Sequence, residues 1–350
     1  MARPVLHCVS AGRHRAILGG TACLNKKMQP PSRNGRALLA FRPRPPLDAQ
    51  QTLARYGRWG LDPSSPYRDG TLHRVARVDD RLVPFRLTVA GPPTRPRATL
   101  AFAGPNTPAV RTALRQEAAH LLGERWDLPG FYAAAAADPV LARLVRPSSG
   151  LFGLRPTLVP DPFEMLVGAI SAQQVNLTFA FATRARLVRR YGTPIVFDGV
   201  TVHAFPTPAV LADVPAAALR EMQFSQRKAE YIVGLARELD AGPLDLAALA
   251  GAPDEEIVTG LTAIRGLGRW TAEWFLARAL GRPDVCPADD LGVRRAVEAL
   301  CFGGRGRDAA AVRRRARAWR PHRSLATHYL LAAHAGQRQV ARPPSVARGA

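Results

Sequence analysis

The pattern of apolar and polar residues divides the chain into a short strand-rich part and a longer helical part. Up to about residue 108, short apolar runs alternate with polar residues and are separated by Pro, Gly and Asp, which is typical of antiparallel strands. Strands are predicted over residues 38–41, 72–78, 85–89 and 98–102. Leu53 and Tyr56 lie three apart within residues 48–59, which predicts a helix packed on the sheet.

Beyond residue 108, apolar residues recur about every 3.6 positions, as on one face of a helix. Helices are predicted over residues 109–122, 132–144, 163–191, 208–222, 226–239, 254–264, 270–280, 291–301, 309–319 and 324–335. Asp161, Pro162 and Glu164 supply an N-cap, a proline at the first helical position and a capping-box acid. The fold class is therefore mainly α with an N-terminal α+β domain.

These patterns predict four segments along the chain. Residues 1–36 carry seven Lys or Arg, no Asp or Glu and no periodicity, so we expect a disordered basic leader. A targeting segment and a start assigned upstream of Met28 are both open interpretations of it. Residues 37–108 form the α+β antiparallel sheet domain, 109–335 the helical region, and 336–350 a disordered tail.

The charge balance favours a polyanionic partner. The chain has 49 Lys and Arg against 27 Asp and Glu, a formal net charge of +22 and a pI near 11.3. Only three of the basic residues are lysines, and a GC-rich genome also produces an arginine excess. The four cysteines form no CxxC pair, which excludes zinc-ribbon, iron–sulfur and thioredoxin-type sites and favours a reducing compartment. No apolar run approaches the roughly 20 residues that cross a bilayer.

A tight turn between two predicted helices is the first candidate site. Gly266 and Gly268 lie one residue apart, between the helix that ends near residue 264 and the helix that begins near residue 270. A glycine pair lets a phosphate approach the backbone, and the free N–H groups of the following helix bind anions. The sequence thus predicts a helix-hairpin-helix, although the glycines alone also suit an ordinary turn between packed helices.

Three segments accompany this turn: GLGRWTAEW at 266–274, PDVCPADDLG at 283–292 and GAISAQQV at 168–175. Together they resemble the helix-hairpin-helix DNA glycosylases of the DNA-3-methyladenine glycosylase II type, and the resemblance spans about residues 110–335. It implies two helical subdomains that flank an active-site cleft. The strand-rich part resembles the additional N-terminal domain of the longer bacterial members.

The resemblance implies roles for an acid and two tryptophans. Asp290 matches the catalytic aspartate, which stabilises the oxocarbenium-like sugar as an anion and helps water reach C1′. Trp270 stands where strand-cutting relatives place a nucleophilic lysine, so a monofunctional enzyme is expected. Trp270 and Trp274 lie four apart on one helix face and would stack on a cationic base in the pocket. Core packing is the alternative for both rings.

The same resemblance implies residues that contact DNA. Gly266, Gly268 and Arg269 would bind the phosphate backbone, and Gln174 matches the wedge that fills the space left by a flipped base. A polar residue on a solvated helix face is the alternative for Gln174. A monovalent cation is expected on three main-chain carbonyls of the hairpin, those of Thr262, Ile264 and Leu267. Eight arginines within residues 305–323, opposed in that span only by Asp308, are further candidates for phosphate contacts.

The function implied is removal of alkylated purines, of the 3-methyladenine and 7-methylguanine type, from double-stranded DNA, which leaves an abasic site. No cofactor is expected beyond the structural cation, and we expect a cytoplasmic, nucleoid-associated monomer. A glycosylase for deaminated or oxidised bases and a non-catalytic helix-hairpin-helix DNA-binding protein are the alternatives. Residues 327–331 lack the additional aromatic that some relatives carry near the pocket, which leaves the lesion range open.

Overall fold

A five-stranded antiparallel sheet forms the N-terminal part of the computed structural model, which describes residues 36–242 and 244–340. Its strands are β1 Arg36–Phe41, β2 Tyr67–Arg68, β3 Thr71–Val78, β4 Arg81–Ala90 and β5 Arg97–Ala103, in the order β1-β5-β4-β3-β2. Leu87 lies opposite both Leu72 and Leu100, and all three side chains are fully buried. The four predicted strands are confirmed, whereas the two-residue β2 was too short to predict.

Three helices accompany the sheet. The helix predicted over residues 48–59 is divided at Ala54 into α1 (Ala49–Leu53) and α2 (Arg55–Arg58). The longer α3 (Pro108–Leu121) buries Val110, Leu114 and Ala118 in the same core as the strands. The first core therefore includes the helix that follows the boundary predicted at residue 108, and the division into domains stays a prediction.

The remaining elements are helical except for one hairpin. They are α4 Leu128–Ala135, α5 Pro139–Leu144, α6 Pro162–Ala172, α7 Leu177–Tyr191, β6 Thr193–Phe197, β7 Val200–Ala204, α8 Pro208–Ala212, α9 Ala216–Glu221, α10 Gln226–Asp240, α11 Leu246–Ala250, α12 Asp254–Thr262, α13 Arg269–Arg278, α14 Leu291–Cys301, α15 Ala309–Ala316 and α16 Arg323–Val340, with short 3-10 turns at Pro147–Ser149 and Arg317–Trp319. The β6–β7 hairpin was not predicted. No helix in the described part of the chain has the length and apolar character needed to span a bilayer.

Two helical cores lie beyond the sheet. One is built mainly from α6 to α13, with Leu166, Ile232 and Phe275 fully buried. The other joins α4 and α5 to α14–α16 across more than 140 residues of sequence, and Tyr329 lies at its centre. Trp274 packs against both cores, which places α13 at their junction.

Several predicted boundaries differ from the structure, since the helices predicted over residues 132–144 and 208–222 are each divided in two. The single helix predicted over residues 163–191 is interrupted at Gln173–Asn176, where Asn176 caps α7 by accepting from Phe179 N at 2.8 Å. Apolar periodicity continues across such a break, so it could not reveal it. α16 continues to Val340, so residues 336–340 of the expected tail are helical, and the rest of that tail, like residues 1–35 of the expected leader, lies outside the described residues.

A buried ionic network joins the sheet to the first helical core. Glu164 of α6 accepts hydrogen bonds from Arg74 of β3 at 2.9 Å and from Arg184 of α7 at 2.6 Å, and Arg184 also pairs with Asp62. Burial by itself raises the pKa of Glu164, but the two guanidinium groups outweigh it and hold that pKa below its ordinary value. Sequence patterns gave no sign of this network.

Candidate active site

The hairpin between α12 and α13 gives its two glycines different roles. Gly266 has φ +94°, and a Cβ there would lie 2.2 Å from Cγ of Tyr231, so no other residue fits without movement. Gly268 is the N-cap of α13 with an extended φ of −103°, and a Cβ there would meet open space. Its small size leaves the first N–H groups of α13 without a side-chain cap and accessible to an anion.

Asp290 lies where the loop after α13 enters α14. It is the N-cap of α14, and its Oδ1 accepts from Val293 N at 2.9 Å. The other oxygen, Oδ2, accepts from the indole Nε1 of Trp270 at 2.9 Å and of Trp274 at 3.2 Å. Three N–H donors therefore hold both oxygens of a half-buried carboxylate in one orientation.

These contacts revise the role expected of the tryptophans. Their positions four apart put both rings on one face of α13, as predicted, but that face directs both indole N–H groups to Asp290. Both rings are partly buried against the first helical core, so packing also contributes. Stacking on a base remains a prediction for the exposed part of each ring.

A buried histidine supports Trp274 from the second core. The ring of His328 lies edge-on to Trp274, with 5.7 Å between centroids and planes at 85°. Its Nδ1 bonds the Ser324 carbonyl at 2.8 Å, and its Nε2 is 3.3 Å from Nη1 of Arg278, so Nδ1 carries the hydrogen and Nε2 accepts. Burial, and then the charge of Arg278, lowers the pKa of His328 to about 3, so the ring is neutral at working pH.

The sequence did not identify Arg278 or His328 as parts of the site. Arg278 stands four residues after Trp274 on α13, so its spacing was the available signal. Its Nη2 also donates to Thr157 Oγ1 at 3.1 Å. For His328 the sequence offers a weaker signal, because residues 327–331 stand out only by lacking an additional aromatic.

The residues expected to contact DNA lie on two neighbouring turns. Gln174 is exposed in the interruption between α6 and α7, with φ +54°, and so is not on a helix face as its alternative assumed. Arg269 is 53% exposed at the start of α13. Its Nε donates to Glu273 at 3.0 Å, and Glu255 lies 3.7 Å away. Its charge is therefore partly neutralised before any phosphate arrives.

Several of the arginines in residues 305–323 are paired with acids distant in sequence. Arg313 pairs with Asp289 and Arg315 with Asp138, while Arg323 binds Asp284 at 2.6 Å. Asp308 is the one acid within that span, but folding also brings in acids that sequence proximity does not show. Asp289 is exposed and directed to Arg313, so it does not share the environment of Asp290.

The carbonyls expected to hold a cation lie at the end of α12 and in the following turn. Thr262 is the last residue of α12, and the carbonyl of Ile264 accepts from Leu267 N at 3.1 Å. Carbonyl oxygens at a helix C-terminus carry partial negative charge and can therefore act as ligands of a monovalent cation. They fit the expected ion, which stays a prediction. Within the described residues, no group of three or more His, Cys, Asp or Glu could hold a metal.

Comparison with known proteins covers the region that contains this site. The family described as the HhH-GPD superfamily of base excision DNA repair proteins matches residues 167–321, which include both turns, Trp270 and Asp290. Over this region the chain is similar to the superfamily. The predicted helix-hairpin-helix glycosylase fold is thereby confirmed.

Curated and solved relatives carry related names. A Bacillus subtilis DNA-3-methyladenine glycosylase is 32% identical over 58% of this chain and 66% of its own length. DNA-3-methyladenine glycosylase 2 of Escherichia coli is 32% identical over 50% of this chain and 58% of its own. The alignments thus span somewhat less than two thirds of these relatives. The solved 3-methyladenine DNA glycosylase of Archaeoglobus fulgidus matches with a TM-score of 0.74 at 29% identity, over 84% of this chain and 97% of that one.

Proposed function

We propose that this chain is a monofunctional DNA glycosylase that removes alkylated purines, of the 3-methyladenine and 7-methylguanine type, from double-stranded DNA. The observation that carries the proposal is the carboxylate of Asp290, held by three N–H donors at the junction of the two helical cores. The region that contains it matches a family of base excision DNA repair proteins, and relatives named DNA-3-methyladenine glycosylase are 32% identical to parts of this chain. Action as a monomer at the bacterial nucleoid belongs to the same proposal.

The reaction needs an anion beside the sugar more than it needs a proton donor. The C1′–N bond breaks with its electron pair going to the base, so C1′ becomes positive, and an alkylated cationic base departs neutral. Asp290 stabilises the positive sugar. Water then adds to C1′ and loses its proton, either to the carboxylate or to solvent, which completes hydrolysis at an abasic site.

Trp270 determines that the reaction stops there. Its position directly after the hairpin carries an indole whose N–H is bonded to Asp290, so it offers no amine to form a Schiff base with the sugar. The described part of the chain has one lysine, Lys228, whose Nζ donates to the Ser171 carbonyl at 2.9 Å. Strand cleavage by an amine nucleophile is therefore not expected.

Substitution of Asp290 by Asn tests the proposal, with Asp289→Asn as the matched control. Asn can still cap α14, but its amide would then face two indole donors, so the variant loses both the charge and the fit. Base release from 7-methylguanine duplexes under single-turnover conditions should fall by roughly 10² to 10³ for Asp290→Asn. Asp289→Asn removes an exposed ion pair and should stay near the wild-type rate. A normal rate for Asp290→Asn would exclude the proposed mechanism.

A further inference from the structure

The interruption between α6 and α7, Gln173–Asn176, is joined by a side chain to the turn between α12 and α13. We name the first the wedge turn and the second, Ala263–Gly268, the hairpin turn. Nε2 of Gln173 donates to the carbonyl oxygen of Gly266 at 2.9 Å, across 93 residues of sequence. The two segments assigned to DNA by resemblance are thus in direct contact.

Helix α10 contacts the hairpin turn and the end of α6, directly before the wedge turn. Nζ of Lys228 donates to the carbonyl of Ser171 near the end of α6. The ring of Tyr231, one helical turn further along α10, packs on Gly266 so closely that no Cβ fits between them. Arg265 lies over the same ring, 5.8 Å from its centroid, and pairs with Glu230 at 3.0 Å. The hairpin turn is therefore rigidly supported where Gln173 reaches it.

The wedge turn needs such support because its backbone is unfavourable for the residue it carries. Gln174 has φ +54°, a left-handed conformation that side chains other than Gly, Asn and Asp rarely adopt. Its side chain is exposed, as are Val175 and Leu177 after it. Gln173 is the residue of the turn whose side chain is fixed to another element.

We propose that Gln173 is a positioning residue that couples docking of the hairpin turn on the phosphate backbone to presentation of Gln174 to the duplex. The proposal rests on the proposed function. Only a side chain with an N–H donor at this length can donate to the Gly266 carbonyl. Leu and Glu lack such a donor, and Asn is shorter by one methylene. Gln173 touches neither the base nor Asp290 in this scheme and acts through its neighbour.

The test compares Gln173→Leu with Gln174→Ala and with the double variant. Docking is measured as affinity for an undamaged duplex. Presentation is measured with a duplex that carries 2-aminopurine at a mismatch, whose fluorescence rises when the base leaves the stack. Gln173→Leu should keep docking affinity within about twofold and lower the flipping equilibrium by about threefold to tenfold, the effect of one hydrogen bond.

The double variant decides whether Gln173 acts through Gln174. If it does, Gln173→Leu should cost nothing further in a Gln174→Ala background, whereas independent roles give losses that multiply. Multiplying losses overturn the proposal, and so does wild-type flipping by Gln173→Leu. Thermal unfolding checks that each variant folds. If Gln173→Leu does not fold, Gln173→Asn replaces it, because Asn keeps the amide but is too short to reach Gly266.

The flipping assay does not require base release, so the two proposals fail separately. A wild-type protein that flips but releases no methylated base contradicts the proposed activity and leaves the coupling intact. Equal flipping by wild type and Gln173→Leu contradicts the coupling whatever the excision rate. A wild-type protein with no flipping signal contradicts both.

Discussion

Substitution of Trp270 by Phe separates the two roles that an indole could have beside Asp290. Phe keeps an aromatic face for a cationic base but removes the N–H that donates to Oδ2 at 2.9 Å. Asp290 would retain Val293 N on Oδ1 and the longer bond from Trp274 on Oδ2. The variant therefore tests the hydrogen bond with the ring stacking left nearly unchanged.

The size of the effect follows from the geometry. A hydrogen bond to a charged group contributes about 1.5 to 3 kcal/mol, which corresponds to roughly tenfold to 150-fold in rate if the whole loss appears in the transition state. Because the bond from Trp274 is 3.2 Å long, Trp274→Phe should fall at the lower end of that range. We expect the chemical step to slow because Oδ2 of Asp290 then keeps only the longer bond from Trp274, so the carboxylate is held less firmly in its orientation.

The assay is single-turnover excision of 7-methylguanine and of hypoxanthine, with duplex affinity and thermal unfolding as controls. Trp270→Phe should slow both bases by a similar factor and leave duplex affinity unchanged, since Asp290 serves both reactions. Trp270→Leu, which loses the ring, should slow 7-methylguanine further, because cation–π attraction contributes about 0.5 to 2 kcal/mol.

Two results would refute this reasoning. A wild-type rate for Trp270→Phe on both bases would show that the indole N–H does not position Asp290. Equal losses on both bases for Trp270→Leu would show that the ring only shapes the pocket, and the cation–π contribution would be excluded.

Three further predictions concern stability and binding. Gly266→Ala should lower the unfolding temperature and weaken duplex binding, whereas Gly268→Ala should fold normally, because only the first has a positive φ and contacts Tyr231; thermal unfolding of the pair checks this. Duplex affinity should fall with salt at a log–log slope of about −0.9 per phosphate contacted, and a flat titration would contradict a duplex ligand. His328 has a pKa of about 3 when folded against an ordinary 6.5, so the unfolded chain binds the extra proton, and stability present above pH 6.5 is lost as pH falls towards 3. His328→Gln should reduce this loss of stability between pH 6.5 and 3, measured as the unfolding temperature across pH. An unchanged loss would contradict the prediction.

The sequence was sufficient for features whose cause is local. Strand alternation, helical periodicity and caps such as Asp161 depend on neighbouring residues, so most elements were predicted correctly. The hairpin motif is also local, and together with residues 283–292, which contain Asp290, it indicated the resemblance to the family. The lack of a lysine at position 270 needs no structure to interpret.

Only the tertiary structure decided how distant residues complete the site. Spacing put Trp270 and Trp274 on one face, but the course of the chain between α13 and α14 directs that face to Asp290. Charge alone could not show that Arg313 is paired with Asp289. Periodicity continues across the wedge turn, and the bond from Gln173 to Gly266 joins segments 93 residues apart. Such contacts depend on the packing of whole helices, which a local pattern does not specify.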